Sequence, residues 1–141
     1  MSRFVLRTGA TPEASRKLAK AAVCILADTI LSWETIHELD LIMTEGCANV
    51  VRHGYRNGTL KGDVEMVLEI EDEKHVDISI TDWGVGLEQD KTTPCDPGPL
   101  AEGGRGLFIM SELSDVFEVK SDENSTTLFV RKLIPADQWK K

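Results

Sequence analysis

Val64-Glu65-Met66-Val67-Leu68-Glu69-Ile70-Glu71-Asp72-Glu73-Lys74-His75-Val76-Asp77-Ile78-Ser79-Ile80-Thr81 changes the period of the whole chain. Val64, Met66, Leu68 and Ile70 fall on one side of an extended segment, with Glu65, Val67, Glu69 and Glu71 on the other. The quartet Glu71-Asp72-Glu73-Lys74 is a charged hairpin turn, after which Val76, Ile78 and Ile80 alternate with Asp77, Ser79 and Thr81. Two strands with one apolar face each need a second layer to cover that face.

Upstream, the sequence supplies that layer. Phe4-Val5-Leu6 is a short strand ended by Thr8-Gly9. Thr11-Pro12-Glu13 then opens a helix with a hydroxyl cap, a proline at the first helical position and an acid facing the dipole. Leu18, Ala21, Ala22, Ile25, Leu26 and Thr29 carry it to about Leu31. Ser32 caps a second helix, whose apolar stripe runs through Ile36, Leu39, Ile42, Met43, Cys47, Val50 and Val51, with Gly54 and Asn57-Gly58 as its stop.

Downstream of the hairpin, Gly84 to Arg105 has no periodicity, and a loop of about 20 residues inside a compact domain usually has a task. A helix from about Leu107 to Leu113 follows. Val116–Val119 and Thr127–Val130 close the chain as a hairpin around Asp122-Glu123-Asn124-Ser125. The order β-α-α-β-β-loop-α-β-β predicts an α+β fold. It is a two-layer α/β sandwich with helices packed on one face of a mixed, mostly antiparallel sheet, in a single domain over residues 1–141.

Composition narrows the function classes. With 16 basic and 24 acidic residues the 141-residue chain carries −8 formally, so it repels a phosphate backbone and no direct nucleic-acid partner is expected. No apolar run approaches the roughly 18 residues that span a bilayer, and the first residues lack the apolar core of a signal peptide. Cys24, Cys47 and Cys95 have neither disulfide-framework nor zinc spacing, which reads as reduced thiols in a cytoplasmic protein.

Three clusters carry possible chemistry. Glu45, Asn49 and His53 recur at i, i+4 and i+8 on the second helix, forming one polar stripe. A carboxylate beside a carboxamide suits a hydrated magnesium ion and a general base; it equally suits a solvated helix face. In Asp82-Trp83-Gly84-Val85-Gly86 a carboxylate ends a strand and two glycines allow a ligand close to the backbone, or the segment is simply a strand end with a glycine turn. Gly103-Gly104-Arg105-Gly106 precedes a helix, where free N–H groups and a guanidinium make an anion site. A dinucleotide fingerprint is excluded because Gly84-Val85-Gly86 lacks the third glycine and opens a loop; no Walker A run occurs.

Taken in order, these clusters resemble the histidine-kinase-like ATPase superfamily, and within it the anti-sigma factor serine-protein kinases. Glu38-Leu39 through Glu45-Gly46-Cys47-Ala48-Asn49-Val50-Val51-Arg52-His53-Gly54-Tyr55 is similar to that branch's N box. Asp82 to Leu87 resembles its first glycine box, Glu102 to Met110 its second, and Ser125-Thr126-Thr127-Leu128 its closing strand motif. The resemblance covers about residues 4 to 134.

It implies a Bergerat-type ATP-binding fold with ATP and Mg2+ as cofactors. Asn49 would coordinate the magnesium, and Glu45 would be the catalytic base for a serine hydroxyl. Asp82 would bind the adenine amine with support from Thr126. Gly84 and Gly86 would lie against the nucleotide, Gly104, Arg105 and Gly106 would meet the phosphates, and residues 87–103 would form an ATP lid. The implied partners are a sigma factor and a STAS-type anti-anti-sigma protein, phosphorylated on serine in a partner-switching pathway that regulates transcription; the implied assembly is a homodimer.

Some features depart from the branch. Ala101-Glu102 stands where some relatives carry an arginine, and the lid holds Pro94, Pro97 and Pro99. Trp83 either packs under the adenine or fills core. Two classes of function remain: a serine kinase, or a nucleotide-dependent binding switch without phosphotransfer; some relatives of the branch regulate a phosphatase or another kinase instead of a sigma factor. Glu45 separates them, because a pure switch needs no base there.

Overall fold

The computed structural model describes residues 1–56, 60–84 and 105–141. Strand β1 (Ser2–Gly9) leads into helix α1 (Pro12–Thr29) and helix α2 (Trp33–Asn49), followed by strands β2 (Asp63–Glu71) and β3 (His75–Asp82). Helix α3 (Gly106–Leu113) and strands β4 (Val116–Ser121) and β5 (Thr126–Leu133) complete the layers. The sheet order is β1-β2-β3-β5-β4, and every pairing is antiparallel rather than mixed. In that order β4 forms an edge, and β5 lies between β4 and β3.

The period-two reading sets the face. Val64, Met66, Leu68 and Ile70 of β2 and Val76, Ile78 and Ile80 of β3 are buried under the helices, while their polar neighbours lie on the outer face. Each such side chain removed from water contributes about 1.5–3 kcal/mol. At the turn between the strands Glu73 takes a φ of 66°, a left-handed conformation unusual for a non-glycine residue.

Both helix starts form as the sequence predicts. Thr11 Oγ1 accepts from the Ala14 amide at 3.1 Å, and Ser32 Oγ accepts from that of Thr35 at 3.3 Å. Helix α1 ends at Thr29, two residues short of the expected Leu31, because the C-terminal segment captures the backbone there. Ile30 bridges Trp139, Leu31 N donates to Gln138 O at 2.6 Å, and Lys140 N donates to Thr29 O at 2.9 Å. That segment includes a 3-10 turn (Ala136–Gln138) and buries Trp139, whose indole N–H donates to Ile134 O at 3.0 Å.

Helix α2 lies very close to the sheet. A Cβ on Gly46 would collide with Ile80 Cδ1 and stand 3.2 Å from Met110 Cε of α3. The missing side chain lets α2 settle between β3 and α3, which sets where Glu45 and Asn49 emerge. Beyond Asn49 the chain does not stop but widens into a π-helical turn over Val50–Gly54. No helix among the described residues is long and apolar enough to cross a membrane.

Candidate nucleotide site

Asp82 continues the buried side of β3. It is opposite Val64 of β2 and Thr126 of β5 in register, so Asp82 and Thr126 face the helix layer together, each 5% exposed. Asp82 Oδ1 accepts a hydrogen bond from Gly84 N at 2.9 Å, whereas Oδ2 accepts none from the described residues. Burial pushes the Asp82 carboxyl above the ordinary carboxylate range, and the Gly84 N–H offsets only part of that rise. Thr126 Oγ1 lies 3.3 Å from Ser121 Oγ.

The π turn brings a further glycine to this carboxylate. A Cβ on Gly54 would stand 2.9 Å from both Cγ and Oδ1 of Asp82. A Cβ on Gly84 would collide with the Gly54 carbonyl oxygen and lie 2.5 Å from its carbonyl carbon. Gly54 is therefore part of the site and not merely a helix stop. Its signal in the sequence is a glycine shortly after a polar helical stripe. π turns occur as single turns inside helices, frequently at functional sites.

On α2, Asn49 is buried and its amide makes no hydrogen bond among the described residues; Glu45 is half-buried and has no ion pair there. His53 falls inside the π turn and is half-buried. Glu45 Oε2 lies 3.0 Å from where a Cβ on Gly106 would be. The carboxylate is thereby set against the first residue of α3, whose N-terminal end favours negative charge. Arg105 caps α3 in helical conformation, and its carbonyl accepts from Ile109 N at 2.8 Å.

The structure thus gathers the sequence-predicted residues into two groups. Glu45 meets Gly106 where α2 adjoins α3, with Asn49 one turn further along α2 and Arg105 next to Gly106; Asp82, Gly84 and Thr126 meet at the end of β3. Helix α2 and its π turn join them. Gly86, Gly104 and the expected lid at 87–103 lie outside the described residues. Trp83 does not fill core. It is 42% exposed on the opposite side of the chain from Asp82, with the Arg7 guanidinium 4.6 Å from its ring centroid.

A buried strand-end carboxylate, a carboxamide and carboxylate one helical turn apart, and a glycine-started helix beside them fit a nucleotide better than a bare metal. Among the described residues, no cluster of His, Cys, Asp or Glu could hold an ion unaided. A family model described as the histidine kinase-like ATPase domain matches residues 8–132, and the chain belongs to that family.

Its relatives narrow the branch. The serine-protein kinase RsbW of Bacillus licheniformis is 28% identical over 110 residues, covering 72% of this chain and 68% of its own. The protein of the same name from Bacillus cereus strain AH187 is 25% identical over 111 residues, with 73% and 68% covered. The crystal structure of the RsbU and RsbW domains of Rv1364c from Mycobacterium tuberculosis matches 96% of this chain with a TM-score of 0.68 at 20% identity. This chain spans 34% of that longer one, and the match is one of fold. These relatives come from the branch that the sequence boxes resemble.

Proposed function

We propose that this chain is an ATP-dependent serine-protein kinase of the anti-sigma factor type, acting on a STAS-type partner and holding a sigma factor. The observation that carries the reading is the Glu45 carboxylate, without an ion pair among the described residues and set beside Asn49 and the start of α3.

The residues divide the work by chemistry. Asp82 Oδ2 is the acceptor left over for an exocyclic amine, which selects adenine. Asn49 offers one hard oxygen to a magnesium ion that would arrive with the phosphates, as magnesium commonly does; bound there, the ion would neutralise phosphate charge. Glu45 takes the proton from the serine hydroxyl as its oxygen bonds to the γ-phosphorus and the bond to the departing ADP breaks. The N-terminal end of α3 with Arg105 supplies positive potential for the phosphates.

The remainder of the reading is a single domain with a lid at about 87–103, working in the cytoplasm as a homodimer.

The test is Glu45→Gln, assayed with labelled ATP and the serine-bearing partner. Magnesium-ATP affinity is expected to be retained, because the metal oxygen is that of Asn49. Phosphotransfer should fall about 10²–10⁴-fold, the usual worth of a positioned base. Retained transfer would overturn the role of Glu45; absent transfer in wild type with nucleotide-dependent partner binding would establish the switch instead.

A further inference from the structure

Trp83 N belongs to the peptide immediately after Asp82, one residue past the last β3 pair, so the ladder does not serve it. It donates instead to the Tyr55 hydroxyl at 3.1 Å. That hydroxyl has a single proton, which it gives to Asp63 O at 2.6 Å; its oxygen is then free to accept from Trp83. Tyr55 is 2% exposed. Its backbone is fixed as well: Tyr55 N donates to Val50 O at 3.1 Å, closing the π turn, and Tyr55 O accepts from Leu60 N at 3.1 Å.

One side chain therefore ties together the end of the π turn, the start of β2 and the end of β3. The consequence falls on Asp82. Its carboxylate is held on the C-terminal side by Gly84 N, which accounts for Oδ1, and the intervening peptide is held by Tyr55. Gly54, the residue before Tyr55, closes a further side of the same carboxylate.

We infer that the Tyr55 hydroxyl is a positioning group for base recognition: it fixes the peptide after Asp82 so that Oδ2 is presented in one orientation, and thereby sets the preference for adenine over guanine. This rests on the reading of Asp82 given above. Tyr55 touches no nucleotide and acts through Asp82.

The experiment is a calorimetric cycle with ATP and GTP on wild type, Tyr55→Phe, Asp82→Asn and the double variant. Wild type is expected to prefer ATP by at least about tenfold, because guanine presents a carbonyl to the carboxylate. Tyr55→Phe keeps the ring and its packing, yet is expected to weaken ATP binding about five- to tenfold and GTP binding much less. In the Asp82→Asn background the same change should alter ATP affinity less than about twofold, since the group it orients is gone.

An unchanged ATP-to-GTP ratio in Tyr55→Phe, or independent losses in the double variant, overturns the inference while leaving Asp82 its role. Equal ATP and GTP binding by wild type overturns the Asp82 reading and, with it, the inference. Should Tyr55→Phe fail to fold, hydrogen exchange of the Trp83 amide in wild type decides: strong protection is expected, and exchange as fast as in an unstructured peptide overturns the bond.

Discussion

Gly84→Ala tests the tightest contact in the site. The added methyl carbon would stand 2.5 Å from the Gly54 carbonyl carbon and 3.1 Å from its Cα, against an ordinary contact of 3.4 Å or more. The obstacle is backbone, so no rotamer change relieves it; the end of β3 and the π turn must separate by about 1 Å. Overpacking costs about 1–3 kcal/mol, and a backbone-on-backbone case belongs at the upper end, about 3 kcal/mol. Unfolding entropy of about 2.1 cal/mol/K per residue gives about 0.3 kcal/mol/K for a chain of 141 residues, so the melting temperature should fall by about 10 °C. Gly9→Ala is the matched control, because a Cβ there meets nothing within 4 Å. Thermal melts followed by circular dichroism measure both, and ATP binding by the folded Gly84→Ala protein should weaken as Asp82 is displaced. A melting temperature within about 2 °C of the Gly9→Ala control would refute the contact.

Gly106→Ala should behave differently, because its methyl meets the flexible end of Glu45 at 3.0 Å. Stability should stay within about 0.5 kcal/mol in thermal melts, since helix propensity offsets the crowding, while phosphotransfer falls about tenfold as the base is displaced by a few tenths of an ångström. Asp82→Asn should raise the melting temperature at neutral pH. Burial raises the carboxyl's native pKa, so the folded state holds that proton more tightly than the unfolded chain; wild-type stability therefore falls as pH rises from the ordinary carboxylate value through the raised one. The advantage of the asparagine should vanish below that window, which melts across pH would show. Burial pushes the Cys47 thiol up to about 12, so it should resist iodoacetamide at pH 8 until the protein unfolds, whereas exposed Cys24 reacts; site-resolved mass spectrometry reads both.

Local chemistry alone settled much of this protein. Period-two alternation from Val64 to Thr81 determined two strands and their buried face, because side chains in an extended chain must alternate. Thr11, Pro12 and Ser32 determined where two helices begin, because capping is a contact with amides two or three residues away. Glu45, Asn49, Asp82, Gly84, Arg105 and Gly106 were legible as candidates from residue type and spacing, whereas Thr126 entered only through the resemblance to the family.

Contacts between distant segments were decided only in three dimensions. That α1 ends at Thr29 depends on backbone atoms 109–111 residues further along the chain, at Gln138, Trp139 and Lys140. That Arg7 of β1 comes over the Trp83 ring depends on the pairing of distant strands, and that Gly54 closes on Asp82 depends on a π turn whose width no local pattern announces. Tyr55 shows the division most plainly. Its place after Gly54 is visible in the sequence, but its hydroxyl acquires a role only because folding brings Asp63 O and Trp83 N, 8 and 28 residues away, to the two sides of one oxygen.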